Sequence, residues 1–119
     1  MILHITKEEM EERKISDSYS VFNMLKKELS KDVSLSIAVA KNHAEITKSM
    51  KSDRIYYILE GKLSVIVGTE SYYAKPGDLI FISKRTPYEF SGSFKAVLIN
   101  VPAFDQKDEK MIRLLSDGK

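Results

Sequence analysis

Arg54-Ile-Tyr-Tyr-Ile-Leu-Glu-Gly61, then Lys62-Leu-Ser-Val-Ile-Val-Gly68, then Ala74-Lys-Pro-Gly-Asp-Leu-Ile-Phe-Ile82 is the stretch whose reading decides the fold. Ile55 to Leu59 is a β-branched and aromatic run closed by Glu60-Gly61, and Leu63 to Val67 is a second run closed by Gly68. Lys75-Pro76-Gly77-Asp78 is turn chemistry, since Pro presets φ and Gly accepts a left-handed position. Leu79 to Ile82 is a third apolar run, and Thr86-Pro87 opens a fourth ahead of Tyr88-Glu89-Phe90.

Outward from this stretch, Val33 to Ala40 alternates strictly, with Val33, Leu35, Ile37 and Val39 on one face and small residues on the other, as in a half-buried strand. Phe94 to Val101 is a further apolar strand. Tyr19 to Leu29 fits a strand or a short helix, with the strand preferred. Met1 to Ile5 is a short strand candidate. Thr6-Lys7-Glu8-Glu9 has capping-box spacing, which predicts one or two helical turns from Lys7 to about Lys14. The segment from Lys41 to Asp53 turns polar and reads as loop. Asp105 to Leu115 carries a cap candidate and the apolar residues Met111, Ile112, Leu114 and Leu115, so a short helix is expected there.

At 119 residues the chain is long enough for one core and too short for two. Nineteen basic and 17 acidic residues leave a net charge of +2, which makes no case for nucleic acid or an anionic membrane surface. There is no cysteine, so disulfides, thiolate metal sites and cysteine nucleophiles are excluded. No apolar run approaches the ~18 residues of a membrane span, and the N-terminus lacks a signal peptide's apolar core. A cytoplasmic protein is the expectation. Short strands punctuated by turns imply an all-β antiparallel sandwich or barrel.

The segment from about 33 to 101 resembles the cupin superfamily of small jelly-roll barrels. Ile55 to Gly61 is similar to the end of the first cupin motif, Pro76 to Ile82 to the start of the second, and Thr86 to Phe90 to a stretch that normally reads Thr-Pro-His. The fifteen residues between Gly61 and Gly77 match the short spacing of compact microbial cupins. The resemblance implies a single domain over 1–119, a cupin-type barrel of antiparallel strands with short terminal helical segments.

Metal-binding cupins place two histidines and a glutamate before the first-motif glycine and a third histidine after the second motif. By that resemblance the four positions fall on Thr47, Ser49, Arg54 and Tyr88, while Ser83 and Arg85 replace a Pro and a Gly. A divalent metal needs three or four imidazole or carboxylate donors at about 2 Å, and a guanidinium brings a fixed positive charge with no lone pair. No metal and no other cofactor is therefore expected. A relocated set of His43, Glu45, Asp53 and Tyr88 would be the exception.

The register of the resemblance turns Arg54, Tyr56 and Ile58 inward, with Tyr88 and Phe90 on the later strand. Thr47, Ser49, Arg54, Tyr56, Tyr88 and Phe90 are thus the candidate ligand-binding residues, with Arg54 available to a carboxylate or phosphate. Tyr56 and Phe90 also read as plain core, Tyr88 as a plug of the vacated metal volume, and Arg54 as a rim residue paired with Asp53, Glu45 or Glu89. His43 reads as a surface loop residue, and His4 as structural or solvated. Tyr57, Leu59 and the Val33–Val39 strand are the candidate face of a homodimer.

Three functions follow: a non-catalytic barrel binding a small carboxylated or sugar-like ligand, a metal-independent isomerase or epimerase of sugar derivatives using His43 and Tyr88, and a metal-dependent enzyme with relocated ligands. The first is preferred because the metal positions are lost.

Overall fold

The computed structural model describes residues 1–119 and contains eight strands: β1 (Glu11–Ser16), β2 (Tyr19–Leu25), β3 (Ser34–Ser49), β4 (Asp53–Val67), β5 (Glu70–Ala74), β6 (Leu79–Ile82), β7 (Tyr88–Val101) and β8 (Glu109–Asp117). All pairings are antiparallel, in the path β1-β2-β3-β7-β4-β5, with β6 also on β4 and β8 also on β3. The long strands β3, β4 and β7 each serve two layers. The first half of β3 pairs with β2 and its second half with β8. In β4, Arg54 to Tyr57 pair with β6 and Leu63 to Val67 with β5. Register shifts between Ala40 and His43 and between Ile58 and Glu60 mark where the strands cross from one layer to the other. The result is the cupin-type jelly-roll barrel that the motifs imply.

Glycine makes the bend possible. Gly61 has φ +77°, and a Cβ there would lie 2.1 Å from the Ser93 carbonyl oxygen; one on Gly92 would lie 2.4 Å from the Lys62 carbonyl oxygen. Both strands turn where their backbones press closest, which only a residue without a side chain allows. Glu60-Gly61 is therefore a bend inside one fifteen-residue strand and no chain reversal.

Several local expectations give way to pairing across the sheet. Residues 1–6 join no strand. The helix expected from Lys7 to Lys14 is one 3₁₀ turn, Lys7–Glu9, in which Glu9 accepts from the Thr6 hydroxyl and amide. Helical propensity then loses to the ladder between Arg13 and Val21. The helix expected over Asp105 to Leu115 is a 3₁₀ turn, Gln106–Asp108, followed by β8, which pairs with β3 from His43 to Ser49. The polar run from Lys41 onward is no loop, because β3 continues through it to Ser49.

The barrel interior has two characters. Near the bend it is packed by Ala38, Ala40, Ile58, Leu63, Val65, Ala74, Phe94 and Ala96. At the other end the inward positions are Ser34, Ser36, Thr47, Ser49, Arg54, Tyr88 and Asn100, all buried. Along Ser34 to Ala40 it is the small face that points inward, while Leu35, Ile37 and Val39 point out.

Candidate functional site

Arg54, buried on β4, organises the polar end. Its Nε donates to Asn100 Oδ1 at 2.8 Å, Nη1 to the Tyr88 hydroxyl at 2.9 Å and to Glu109 Oε1 at 3.0 Å, and Nη2 to Glu109 Oε2 at 2.5 Å. That uses four of five N–H groups in a fork matched to the carboxylate and leaves one on Nη2 uncommitted. Burial alone pulls the guanidinium's pKa down, but Tyr88, Tyr56 and Glu109 outweigh it and hold it well above its ordinary value. The Tyr56 and Tyr88 hydroxyls are 2.7 Å apart. Burial raises the pKa of both phenols, and Arg54 moderates the rise, so both stay protonated at neutral pH.

A second cluster lies on β3. His43 is only 1% exposed, contrary to its reading as a surface loop residue. It lies inside because β3 continues and the parity of the strand turns His43, Glu45, Thr47 and Ser49 inward together. Its ring stacks on Tyr19 with centroids 4.9 Å apart. His43 Nε2 is 2.7 Å from Glu45 Oε1, and Nδ1 is 2.7 Å from Ser18 Oγ. Ser18 Oγ also donates to Asp117 Oδ1 at 2.6 Å. Asp117 is held far below the usual carboxylate range by hydrogen bonds from Ser18 and Ser16, so it can only accept. Ser18 has one proton to give and gives it to Asp117, which makes His43 Nδ1 a donor to Ser18. Nε2 lies within hydrogen-bond distance of Glu45 Oε1, so both ring nitrogens are held.

The two clusters border one cavity of about 320 Å³, lined by Tyr19, Glu45, Arg54, Tyr56, Phe90 and Glu109 among others. Of the residues singled out from the sequence, Arg54, Tyr56 and Phe90 line it. Tyr88 sits behind Arg54 and Tyr56. Thr47 donates to Glu109 Oε1 at 2.9 Å, and Ser49 accepts from the Ser52 amide. None of these three lines the cavity. Arg54 takes its partner from β8, not from Asp53, Glu45 or Glu89. Sequence reading missed Arg13, Glu109, Ser18 and Asp117 altogether; Arg13 and Glu109 lie on β1 and β8, where helices were expected and strand parity gave no sign.

The positions where cupins hold a metal do not fit one. Arg54 stands at one of them, ion-paired to Glu109, with Tyr88 and Thr47 hydrogen-bonded into the same group. No three His, Cys, Asp or Glu side chains converge anywhere in the chain. The relocated set does not assemble either, since His43 and Glu45 bind each other while Asp53 accepts from the Lys84 amide at the surface. Arg85, where the motif would have glycine, adopts φ 64° and donates its amide to the Ser49 carbonyl.

Barrel topology, motif spacing and an inward polar end define a cupin-fold protein. The profile of the family described as ethanolamine utilisation protein EutQ matches residues 2–106, and the chain belongs to that family. It is similar to an uncharacterised protein of Methanocaldococcus jannaschii, 29% identical over 69 residues that cover 55% of each chain, so it spans about half the length of this curated relative. In fold it is similar to Pac13 of Streptomyces, a nucleoside dehydratase, at 21% identity and a TM-score of 0.83, covering 98% of this chain and 95% of Pac13. Pac13 variants with one tyrosine changed to phenylalanine, or one histidine to glutamine, have been solved with uridine. Ectoine synthase from P. lautus has the same fold at 19% identity and a TM-score of 0.77, covering 100% of this chain and 96% of the synthase. No helix is long and apolar enough to cross a membrane.

Proposed function

We propose that the cavity binds a small sugar-like or nucleoside-like molecule and catalyses proton transfer on it, an elimination or isomerisation, without a metal ion. The observation that carries this reading is the Glu45–His43 pair, 2.7 Å apart and buried, with Glu45 facing the cavity. Glu45, hydrogen-bonded to His43, is placed to accept a proton from a carbon acid, while Ser18 and Asp117 hold His43 in orientation. Tyr56, backed by Tyr88 and Arg54, is a protonated donor for a ligand oxygen. Tyr19, Tyr56 and Phe90 give a ring flat faces to pack on. The uridine held by Pac13, a barrel of the same fold with a histidine and two tyrosines of interest, supports a ligand of this class.

The test is proton NMR in D₂O with nucleosides, oxidised nucleosides and uronic acids. Exchange or loss of a ring C–H is expected, falling about 10²–10⁴-fold in Glu45→Gln and His43→Gln. Saturable binding with no exchange in any substrate would leave only the non-catalytic ligand-binding role.

We also propose that the protein is a homodimer. Its outer face carries two apolar rows across four strands: Leu35, Ile99, Ile55, Phe81 and Ile37, Val97, Tyr57, Leu79. Phe81 is 57% and Tyr57 41% exposed. Apolar rows of this extent call for an apolar sheet of equal size, which a second copy related by a two-fold axis supplies. Sedimentation should give a dimer, and Phe81→Glu a monomer; a wild-type monomer at high concentration would refute the pairing.

A further inference from the structure

Five charged side chains line the cavity: Arg13, Lys14, Glu45, Arg54 and Glu109. Four have a side-chain partner. Arg54 is forked to Glu109. Glu45 is hydrogen-bonded to the buried His43 at 2.7 Å. Lys14 pairs with Asp17 at 3.3 Å on the surface. Arg13 alone has no ion pair and no side-chain hydrogen bond, and its Nε is buried without a partner.

That is a costly arrangement for a guanidinium, since a buried donor without an acceptor forfeits its hydration. Burial pulls the Arg13 pKa down, against Tyr19, Glu109 and Glu45. Arg13 is nevertheless held in position. Its guanidinium carbon lies 4.4 Å from the Phe104 ring centroid, and the Phe104 amide donates to Ser34 Oγ at 2.8 Å. Stacking uses the face of the guanidinium and consumes none of its N–H groups. Arg13 also borders a neighbouring pocket of about 210 Å³, where Lys26 and Lys27 are already paired with Glu11 and Asp105.

We propose that Arg13 is the recognition point for one negatively charged oxyacid group on the ligand, a carboxylate or a phosphate monoester, whose oxygens accept from the guanidinium that no side chain of the protein partners. This rests on the reading of the cavity as a small-molecule site and narrows it to anionic members of that class. The neutral Gln106 and Ser36 line the same stretch of wall and add no competing charge. Arg54, the cation that the sequence offers for this task, is already committed to Glu109.

The test compares matched probes by calorimetric titration: glucuronate against glucose, and uridine 5′-monophosphate against uridine. At least one anion is expected to bind about tenfold tighter than its neutral parent. Arg13→Gln should abolish that gap, and Arg13→Lys should retain part of it. Equal affinities within both pairs, or a gap that persists in Arg13→Gln, would overturn the proposal and leave the sugar-like reading intact. Acetate and inorganic phosphate are tested alone by thermal unfolding. If they stabilise the wild type but not Arg13→Gln while no sugar or nucleoside binds, the anion site stands and the sugar-like reading fails. No Arg13-dependent effect of any probe refutes the anion site.

Discussion

The two ends of the barrel are built from the same three strands yet do opposite things. Near the bend, β3, β4 and β7 contribute Ala38, Ala40, Ile58, Leu63, Phe94 and Ala96, which fill space and have no polar atom to satisfy. Beyond it the same strands contribute Ser36, Thr47, Arg54, Tyr88 and Asn100, whose buried polar groups are hydrogen-bonded to side chains around and behind a cavity. One end stabilises through contact, and the other holds charge in fixed directions at a cost in desolvation. Placing the chemistry at the second end lets an interior site stay open without loosening the fold.

The largest expected effect tests that division at its charged centre. Arg54→Met removes the ion-pair partner of Glu109 and leaves Tyr88 and Asn100 without their donor, so it should cost about 3–5 kcal/mol in urea unfolding and abolish ligand binding. An unchanged midpoint would mean that water already reaches the guanidinium. At the packed end, Leu63→Ala should cost about 3 kcal/mol through the void it leaves, with ligand affinity unchanged. A drop in affinity as large as that of Arg54→Met would erase the distinction between the ends.

Smaller effects sharpen the comparison. Tyr56→Phe removes one hydroxyl from the Tyr56–Tyr88–Arg54 chain and should cost about 1 kcal/mol of stability, with a larger loss in turnover; the reverse order would make Tyr56 merely structural. The smallest effect concerns Asp117, whose carboxyl is depressed by hydrogen bonds from Ser18 and Ser16. A carboxyl of lowered pKa binds fewer protons in the folded than in the unfolded chain. Its stabilisation is therefore complete above the unfolded value of about 3.9 and fades as pH falls through the lower folded value. Melting curves between about pH 6 and pH 2 should show a shallower acid slope in Asp117→Asn than in the wild type; parallel slopes would mean that the bonds from Ser18 do not hold the carboxyl down.

The fold was legible because its signals are local. Pro76-Gly77-Asp78, the run at Ile55 to Leu59 and the inward parity of Arg54, Tyr56, Tyr88 and Phe90 each depend on neighbours within a few residues. Reading failed where long-range pairing decides the outcome: the capping box at Thr6 yields one turn, and the tail becomes a strand because β3 offers it an edge. His43 was misread because a polar stretch looks like a loop until its partners are known. Ser18, Glu45 and Asp117 come from three separate parts of the chain.

The sequence by itself determined that the chain is an all-β barrel of cupin type and that a guanidinium and a phenol stand where such barrels hold metal ligands. The first rests on turn chemistry and alternation along the chain together with the motif resemblance, and the second on that resemblance, which aligns Arg54 on β4 and Tyr88 on β7 with the ligand positions. Only the tertiary structure decided that Arg54 is neutralised by Glu109, that His43 is buried against Glu45, and that Arg13 is left without a counter-charge. Whether a charge is paired depends on which strands meet, and strands that meet here, such as β3 and β8, lie some seventy residues apart in the chain.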